Sequence, residues 1–407
     1  MEASLEQVEH SRDNKSICIL PWIHQHGDLS GNYALCCFTL NKVDRSDVFF
    51  GKDTSPLSAW NSDYMKSTRL AMLSNRKVSA CNFCYDCEDR GVQSHRERMN
   101  DKFKDYFHLF EKTEIDGGLK HPPIYLDFRF GNLCNFSCRI CGSDASSSWV
   151  KEHKLMGWLD KDAPGYIDEW SDNKSFWSDL EKIKKCVKLV YFAGGEPFVQ
   201  KGHYKFLEYM IENGCTNIEL NYNTNLSYDG EFMGYDILKL WEKFDKVLIW
   251  PSIDGYGEKA EYGRKGLNWS LFNDNSKKFN HYISSYSIVS SIYSITSIPE
   301  LLLWVKKQNK TFFITNGVHP KHLTTTLFDK NTKKDITLKY KEFLYKNSSI
   351  FSESEIHNII DMLRHMNSKD DFARAKDFKD YNEKIDSLRN ESFTSIFPEL
   401  TEWYRNI

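Results

Sequence analysis

The sequence lacks a long apolar run. No stretch of its 407 residues approaches the roughly 20 consecutive apolar residues that a membrane-spanning helix requires. The first residues, MEASLEQVEHSRDNKS, are polar and mixed in charge, so they do not resemble the apolar segment of a secretory signal. We therefore expect a cytoplasmic protein with no membrane partner.

The sequence also lacks an imbalance of charge. It has 54 Lys and Arg residues against 57 Asp and Glu residues, for a net charge of −3. This balance gives no general electrostatic reason to expect nucleic-acid binding. Hydrophobic residues make up 40% and aromatic residues 14% of the chain, which is typical of a globular protein. The length allows one large domain with an appendage, or two to three ordinary domains.

Changes in composition along the chain predict its organisation. A charged, helix-like stretch over residues 94–123 ends at glycine and proline pairs, which break helices. After it, β-rich runs are separated mostly by segments long enough for a helix; the runs are IYLDFRF, VKLVYFAGG, NIELNYNTN, KVLIWPSID and YSIVSSIYSIT. The alternation predicts an α/β fold with a parallel sheet, whose chemistry usually lies at the carboxyl ends of the strands. Beyond about residue 320, amphipathic patches such as EIHNIIDMLRHM predict a helical C-terminal extension.

The eleven cysteines are distributed unevenly. In a reducing compartment they are better candidates for metal ligands than for disulfides. Nine of them form two groups, which are Cys18, Cys36, Cys37, Cys81, Cys84 and Cys87, followed by Cys134, Cys138 and Cys141. We interpret the remaining two, Cys186 and Cys215, as buried small hydrophobic residues.

The second group of cysteines has the spacing CxxxCxxC and follows the first β-rich run. Three thiolates do not complete a structural zinc site, which normally has four ligands. They can hold a [4Fe–4S] cluster and leave one iron open for an organic ligand. The motif CNFSCRIC resembles the signature of radical S-adenosylmethionine (SAM) enzymes, with Ile140 where that family often has an aromatic residue. The resemblance implies a cluster on Cys134, Cys138 and Cys141 whose open iron binds SAM.

Three later motifs resemble the SAM-binding motifs of the same family. They are LVYFAGGEPFV, LNYNTNLS and WPSIDGYGEKAEYGRKG. The resemblance implies SAM-binding roles for Gly194, Gly195, Glu196, Pro197, Thr224, Asn225, Ser252, Asp254 and Arg264. Glu196 would accept a hydrogen bond from the SAM ammonium group and Arg264 would face the carboxylate, while Leu226 stands where the family usually has Gly. Taken alone, the GGEP segment would be a strand-to-helix turn, Asp254 a turn residue and Arg264 a surface charge.

The first group of cysteines combines distant cysteines with a CxxC unit, which suits zinc or an iron–sulfur cluster. The region resembles the SPASM/twitch auxiliary-cluster domain of radical SAM enzymes, although here it precedes the core. The resemblance implies one auxiliary [4Fe–4S] cluster, with structural zinc as the alternative. The expected ligands are Cys18, Cys36, Cys81 and Cys84, with Cys37 and Cys87 as substitutes. His24 and His26 are further candidate ligands, although a lone His is more often packed or at the surface.

The resemblance also implies how the chain is organised and what it does. Residues 1–100 would form the SPASM/twitch-like domain, residues 121–320 a radical SAM core with a partial (β/α)6 TIM-like barrel, and residues 321–407 the helical extension. The expected activity is reductive cleavage of SAM to a 5′-deoxyadenosyl radical, with electrons from a donor such as flavodoxin or ferredoxin.

The sequence leaves the substrate open. We expect a peptide or protein, because auxiliary-cluster modules in the family are common among peptide maturases. The alternatives are a dehydrogenase or epimerase of a sugar or other small molecule, and a non-enzymatic metal-binding scaffold. The intact cysteine triad and GGEP segment argue against the scaffold. No catalytic or radical-quenching residue is assigned by the sequence.

Overall fold

The structure is a computed structural model, and it describes residues 14–39, 55–89, 91, 93–167, 170 and 172–407. Most of the polar N-terminal segment discussed above lies outside these residues. The fold is mixed α/β, with parallel strands and many helices. Within the described ranges, no helix is both long enough and apolar enough to cross a membrane.

The strands are short and are numbered in chain order. Among the described residues they are β1 (His24–Gly27), β2 (Tyr33–Ala34), β3 (Tyr125–Phe128), β4 (Ser137–Cys138), β5 (Leu189–Phe192), β6 (Glu219–Thr224), β7 (Glu231–Phe232), β8 (Tyr235–Asp236), β9 (Lys246–Pro251), β10 (Arg264–Lys265), β11 (Ser285–Ser290) and β12 (Thr311–Asn316).

The α-helices lie before, between and after these strands. In the described part of the chain they are Leu20–Ile23, Pro56–Trp60, Asp63–Leu73, Asn82–Asp89, His95–Lys102, Val150–Leu155, Lys174–Ile183, Lys201–Glu212, Ile237–Trp241, Glu258–Gly263, Trp269–Lys278, Ile298–Lys307, Lys330–Asn347, Glu353–Asn367, Ala375–Arg389, Phe393–Ile396 and Thr401–Arg405.

The chain divides into two compact units. Unit 1 consists of residues 1–132, 167–221 and 236–247, and unit 2 consists of residues 133–166, 222–235 and 248–407. The domain limits and the barrel expected from the sequence stay predictions.

Unit 1 is built on a sheet with the strand order β2-β1-β3-β5-β6-β9, to which β6 and β9 contribute their first residues. Strand β1 pairs antiparallel with β2 and parallel with β3, and β3 pairs parallel with β5. Buried residues such as Leu126, Phe128 and Val190 give the central strands the apolar composition expected of parallel strands. In the β1–β3 register, His26 lies opposite Asp127.

The core of unit 1 contains a buried cation. Trp22, Trp60 and Phe103 belong to one apolar cluster. Arg69 is fully buried beside Trp60, with its guanidinium carbon 4.7 Å from the ring centroid. It donates hydrogen bonds to the backbone oxygens of Pro21 and Trp60, at 2.8 and 2.7 Å. Carbonyl oxygens therefore satisfy this buried cation, and no carboxylate in the described part of the chain pairs with it.

Unit 2 contains the parallel pair β11–β12 and the C-terminal helices. The helix Glu353–Asn367 includes the amphipathic patch noted in the sequence and begins with a capping box between Ser352 and Glu355. Asn358 of this helix accepts a hydrogen bond from the Ile314 backbone of β12, at 3.1 Å. Residues 330–407 are therefore largely helical, and the C-terminal extension expected over residues 321–407 stays a prediction.

The five β-rich runs all contain strands, namely β3, β5, β6, β9 and β11. The interpretation of Cys215 as a buried residue is confirmed, whereas that of Cys186 is wrong because its side chain is exposed. Cys186 follows the helix Lys174–Ile183 in a turn, outside the apolar face of that helix.

Candidate functional site

The loop that carries Cys134, Cys138 and Cys141 is held by backbone and side-chain hydrogen bonds within unit 2. The Cys141 N–H donates to the Cys138 carbonyl at 2.9 Å, which closes a tight turn. The Trp149 indole donates to the same carbonyl at 2.8 Å, and the Ser148 hydroxyl donates to the Cys134 carbonyl at 2.6 Å. These bonds fix the backbone from which the three thiols project.

The three thiols are electrostatic neighbours. Cys138 is buried and Cys134 and Cys141 are half-buried. The side chains of Cys138 and Cys141 share a hydrogen bond, which raises the pKa of Cys138 and lowers the pKa of Cys141. The charge on Cys134 raises the pKa of Cys141, whereas the Arg264 cation lowers it. Two thiols in hydrogen-bond contact, a third that acts on Cys141 through its charge, and a nearby cation fit the donor set of an iron–sulfur cluster.

The sulfur of Cys134 lies among N–H donors. The Phe136 backbone N–H donates to this sulfur at 3.5 Å, and the Asn225 amide donates to it at 3.9 Å. Asn225 also donates to the Asn135 side chain at 2.9 Å. N–H groups directed at a sulfur stabilise its negative charge, as the sulfurs of cluster ligands require. The structure therefore places Asn225 beside the cysteine loop.

Strand β6 ends at Thr224, next to a residue in an unusual conformation. Leu226 is fully buried and has φ +53°, in the left-handed region that Gly adopts most easily. The Thr224 hydroxyl accepts the Leu226 N–H at 3.0 Å, and the Thr224 carbonyl accepts the Ser252 N–H at 2.8 Å. Thr224, Asn225 and Ser252 are thus brought together in unit 2, with Leu226 keeping the backbone shape expected of glycine.

Asp254 and Arg264 pair with each other. Nη2 and Nε of Arg264 lie 2.8 and 2.9 Å from Asp254 Oδ2, and Asp254 Oδ1 accepts the Val289 N–H at 2.7 Å. Burial raises the pKa of Asp254, and Arg264 opposes this effect. Arg264 is only 8% exposed, so the interpretation of Arg264 as a surface charge is wrong.

Arg264 also lies opposite Cys138. Strands β4 and β10 form a two-residue antiparallel ladder in which Arg264 faces Cys138 and Lys265 faces Ser137. The ladder continues through a hydrogen bond from the Arg139 N–H to the Gly263 carbonyl, at 2.8 Å. The segment that carries the cation is therefore paired directly with the segment that carries the thiols.

The GGEP segment belongs to unit 1. Gly194 has φ +96°, and a Cβ atom there would lie 2.8 Å from Arg129 Cβ and 2.8 Å from Leu29 Cδ2. Pro197 opens the short 3₁₀ helix Pro197–Val199, and the buried Glu196 carboxylate accepts the Phe198 N–H at 3.2 Å. Gly194 is thus required by its conformation and by its neighbours, and Glu196 caps the turn.

Four N-terminal thiols are electrostatic neighbours within unit 1. They are Cys18, Cys36, Cys81 and Cys84, whose charges act on one another in overlapping pairs. Burial raises the pKa of Cys18 to about 12, and burial likewise raises the pKa values of the other three. The Arg96 guanidinium, ion-paired with Glu88 at 2.7 Å, lowers the pKa of Cys18 and of Cys81.

The two substitute ligands have different surroundings. Burial raises the pKa of Cys37 to about 12, and the strongest charges near it are those of Asp127 and Arg129. The charge on Cys87 raises the pKa of Cys84. The electrostatic interactions thus connect all six N-terminal thiols, because Cys37 acts on Cys36 and Cys87 acts on Cys84, and Cys37 also lies near Asp127.

Arg139, inside the cysteine motif, was not singled out by the sequence. Its side chain has no exposed surface, and its Nη2 lies 2.6 Å from Asp386 and 2.6 Å from Glu391. Its guanidinium carbon is 3.7 Å from the centroid of the Tyr262 ring. The only signal in the sequence was a charge between two cysteines, and the two carboxylates that pair with it are about 250 residues away.

Comparison with known proteins found no family model and no curated protein that matches the chain. Solved structures that match include SuiB of Streptococcus suis bound to the precursor peptide SuiA and SuiB bound to S-adenosylmethionine. Both are 13% identical to the chain, with TM-scores of 0.37 and 0.38. They cover 81% and 80% of this chain and 70% and 69% of their own chains. A likeness at this level carries no weight for function.

Proposed function

We propose that the chain is a radical SAM enzyme. Cys134, Cys138 and Cys141 would hold a [4Fe–4S] cluster, and SAM would bind at its open iron. The observation that carries this proposal is the set of three neighbouring thiols on a hydrogen-bonded loop, with Arg264 paired opposite Cys138. When bound, the reduced cluster and SAM supply a 5′-deoxyadenosyl radical that removes a hydrogen atom from the substrate.

The side chains around the loop support the ligation of metal. The Arg264 cation favours the thiolate form of Cys141, and the N–H groups of Phe136 and Asn225 favour negative charge on Cys134. Ligation displaces the thiol protons, including the one that Cys138 and Cys141 share. The cation and the donors thereby reduce the free energy needed to deprotonate the site.

The SAM-binding roles follow from the same residues. We propose that Thr224, Asn225 and Ser252 position SAM at the end of β6, and that Gly194 to Pro197 leave room for its methionine group. Because Arg264 pairs with Asp254, we propose that it orients the SAM carboxylate from within this pair. The partial (β/α)6 barrel and the three predicted domains belong to this proposal.

We further propose an auxiliary [4Fe–4S] cluster on Cys18, Cys36, Cys81 and Cys84. A tetrahedral zinc ion with bonds of about 2.3 Å would bring its sulfurs to roughly 3.8 Å from one another. Among the described residues, no three cysteine sulfurs all lie within 4.8 Å of one another. The choice of a cluster, in which each thiolate binds a different iron, follows from the resemblance of the region to the auxiliary-cluster domain.

The proposed substrate is a peptide or protein, and the proposed electron donor is a flavodoxin or ferredoxin. Both follow from the resemblance of the motifs, since auxiliary-cluster modules in that family are common among peptide maturases. Conversion of a peptide in the presence of SAM and a reductant tests the substrate class. Conversion of an aminosugar instead would favour the dehydrogenase or epimerase.

The enzyme proposal is tested by the metal content of the anaerobically reconstituted protein. We expect about eight irons per chain in the wild type and about four in Cys134→Ala/Cys138→Ala/Cys141→Ala, with loss of the SAM-sensitive electron paramagnetic resonance signal. Cys186→Ala, which removes an exposed thiol, is the matched control and keeps the wild-type iron. Absence of iron from the wild type, or unchanged iron in the triple variant, would overturn the proposal.

A further inference from the structure

Two histidines and an aspartate meet inside unit 1. They lie on the adjacent parallel strands β1 and β3, with His26 directly opposite Asp127. One ligand atom from each of His24, His26 and Asp127 lies within 4.8 Å of the other two. All three residues are at most 2% exposed. Buried groups of this kind require partners, because water does not reach them.

The backbone determines which nitrogen of His24 carries the proton. His24 Nδ1 lies 3.2 Å from the Leu35 carbonyl oxygen, and since a carbonyl only accepts, Nδ1 donates. In the neutral ring Nε2 then has a lone pair, and Nε2 lies 3.8 Å from Asp127 Oδ2. A lone pair and a carboxylate repel unless a cation lies between them. An imidazole whose other nitrogen donates to a backbone carbonyl is the usual arrangement of a metal-binding histidine.

His26 gives an independent observation. Its Nδ1 lies 2.9 Å from Asp127 Oδ2, but the contact does not have the direction of a hydrogen bond. Among the described residues, neither the ring nitrogens of His26 nor the other carboxylate oxygen, Asp127 Oδ1, have a hydrogen-bond partner. Ligands of one tetrahedral metal with bonds of about 2.0 to 2.1 Å lie roughly 3.3 Å apart without pointing at one another. The distances of 2.9 and 3.8 Å lie on either side of this value.

We propose that His24, His26 and Asp127 bind one divalent transition-metal ion, either zinc or ferrous iron. Two imidazoles and one carboxylate are a donor set that both ions accept. The ion would join β1 to β3 and so fix the strand that leads to the Cys36 and Cys37 pair. The site does not depend on the proposed radical SAM function, since none of its ligands belongs to either cysteine group.

The charges around the three residues affect how readily the site accepts a positively charged ion. Arg129 Nε lies 3.8 Å from Asp127 Oδ1, and this cation opposes a second positive charge. The Asp127 carboxylate supplies the negative charge that offsets a bound dication, and the two imidazoles bind as neutral ligands. Without an ion, the three residues would have only a shared proton between them.

The test is a count of zinc in the full-length, anaerobically reconstituted protein after exposure to zinc chloride and removal of loosely bound metal. We expect the wild type to retain one more zinc per chain than Asp127→Asn or His26→Gln, with equal iron in all three. Any zinc bound by the cysteine thiols is the same in each protein, so it cancels in the difference between the wild type and the variants. The matched control is His203→Gln, since His203 is an equally buried imidazole of unit 1 outside the group, and it keeps the extra zinc. The same comparison with ferrous iron shows which ion the site retains.

Equal zinc and equal ferrous iron in the wild type and in well-folded Asp127→Asn would overturn the proposal. Cobalt(II) supplies a second measurement on the wild type, which does not depend on how the variants fold. One equivalent bound by nitrogen and oxygen has visible ligand-field absorption without a thiolate charge-transfer band. A wild-type spectrum in which all bound cobalt has the thiolate band would also overturn it.

Discussion

Arg264 lies opposite Cys138 in an antiparallel ladder of two residue pairs, while its guanidinium pairs with Asp254 at 2.8 Å. The hydrogen bond with Cys141 and burial both raise the pKa of Cys138, and the Arg264 cation opposes them. One residue thus links a buried carboxylate to the thiols of the candidate cluster site.

Replacing Arg264 is expected to weaken cluster loading. Without the cation, the thiols at Cys138 and Cys141 hold their protons more tightly, and ligation requires their removal. A change of one pKa unit in a single thiol corresponds to roughly tenfold weaker loading in Arg264→Gln. The measurement is iron bound during reconstitution at limiting iron and sulfide.

Two variants separate this effect from a loss of folding. Lys265→Gln changes the next residue of the same ladder, whose side chain pairs with Glu391, and we expect wild-type loading. Asp254→Asn removes the carboxylate but keeps the Arg264 cation, so this variant should also bind iron as the wild type does. If Arg264→Gln folds and binds iron as the wild type does, Arg264 has no role in ligation.

At the N-terminal site, Cys81 and Cys84 are expected to be ligands and Cys87 is not. In a Cys134→Ala/Cys138→Ala/Cys141→Ala background, Cys81→Ser or Cys84→Ser should remove most of the remaining iron, because each deletes one of four ligands. Cys87→Ser removes a neighbouring thiol of the same helix and should retain about four irons. Loss of metal in Cys87→Ser with retention in Cys84→Ser would reverse the assignment, and zinc in place of iron would identify a structural site.

Much of the sheet was predictable because its strands have a strong local signal. Runs such as LVYF are rich in β-branched and aromatic residues, and each such run became a strand. Strand β1, with the sequence HQHG, has no such signal, and its pairing with β2 and β3 makes it a strand. Sequence patterns describe local preference, whereas β1 depends on a partner about 100 residues away.

The candidate sites were predictable to a similar extent. Spacing alone identified the two cysteine groups, because ligands of a metal on one loop are close in sequence. The Asp127 carboxylate beside His26 was missed, since Asp127 is one of two charged residues inside an otherwise apolar run. The pairing of Asp254 with Arg264 was missed for another reason, which is that both residues were assigned to SAM. Contacts between elements are set by tertiary packing, on which motif spacing carries no information.

Stability is expected to fall in mild acid because His203 is buried uncharged. Burial lowers the pKa of His203 to about 3, although a hydrogen bond with the Pro197 backbone opposes this, while the unfolded chain has an ordinary value of about 6.5. The folded state therefore binds fewer protons, so its stability is fully present above pH 6.5 and is lost as the pH falls towards 3. Between pH 7 and pH 5 the loss is about 2 kcal/mol.

The measurement is urea unfolding of wild type and His203→Gln at several pH values. Between pH 6 and pH 4, the unfolding free energy should change less steeply with pH in the variant than in the wild type. The difference in slope corresponds to about one fewer proton taken up on unfolding. His95, whose pKa burial lowers to about 4, leaves a residual slope in both proteins. Parallel slopes in the two proteins would mean that His203 is not buried in its neutral form.

The Arg139 guanidinium is expected to be essential for the stability of the cysteine loop. It is fully buried, between Asp386 and Glu391 and over the Tyr262 ring. Replacing it by Ala removes the cation from Asp386 and one of the two cations that pair with Glu391, and breaking a buried ion pair in this way costs about 3 to 5 kcal/mol. Arg364→Ala is the matched control, because its ion pair with Asp361 is exposed and an exposed pair contributes less than about 1 kcal/mol.

Chemical unfolding and iron content together test the role of Arg139. Arg139→Ala should unfold at lower urea and also load less iron at the Cys134 loop, because the residue lies between Cys138 and Cys141 and joins their loop to the helix Ala375–Arg389. Arg139→Lys keeps the charge but loses the planar set of donors, so it should recover only part of the stability. If Arg139→Ala is as stable as Arg364→Ala, the two carboxylates do not depend on this cation.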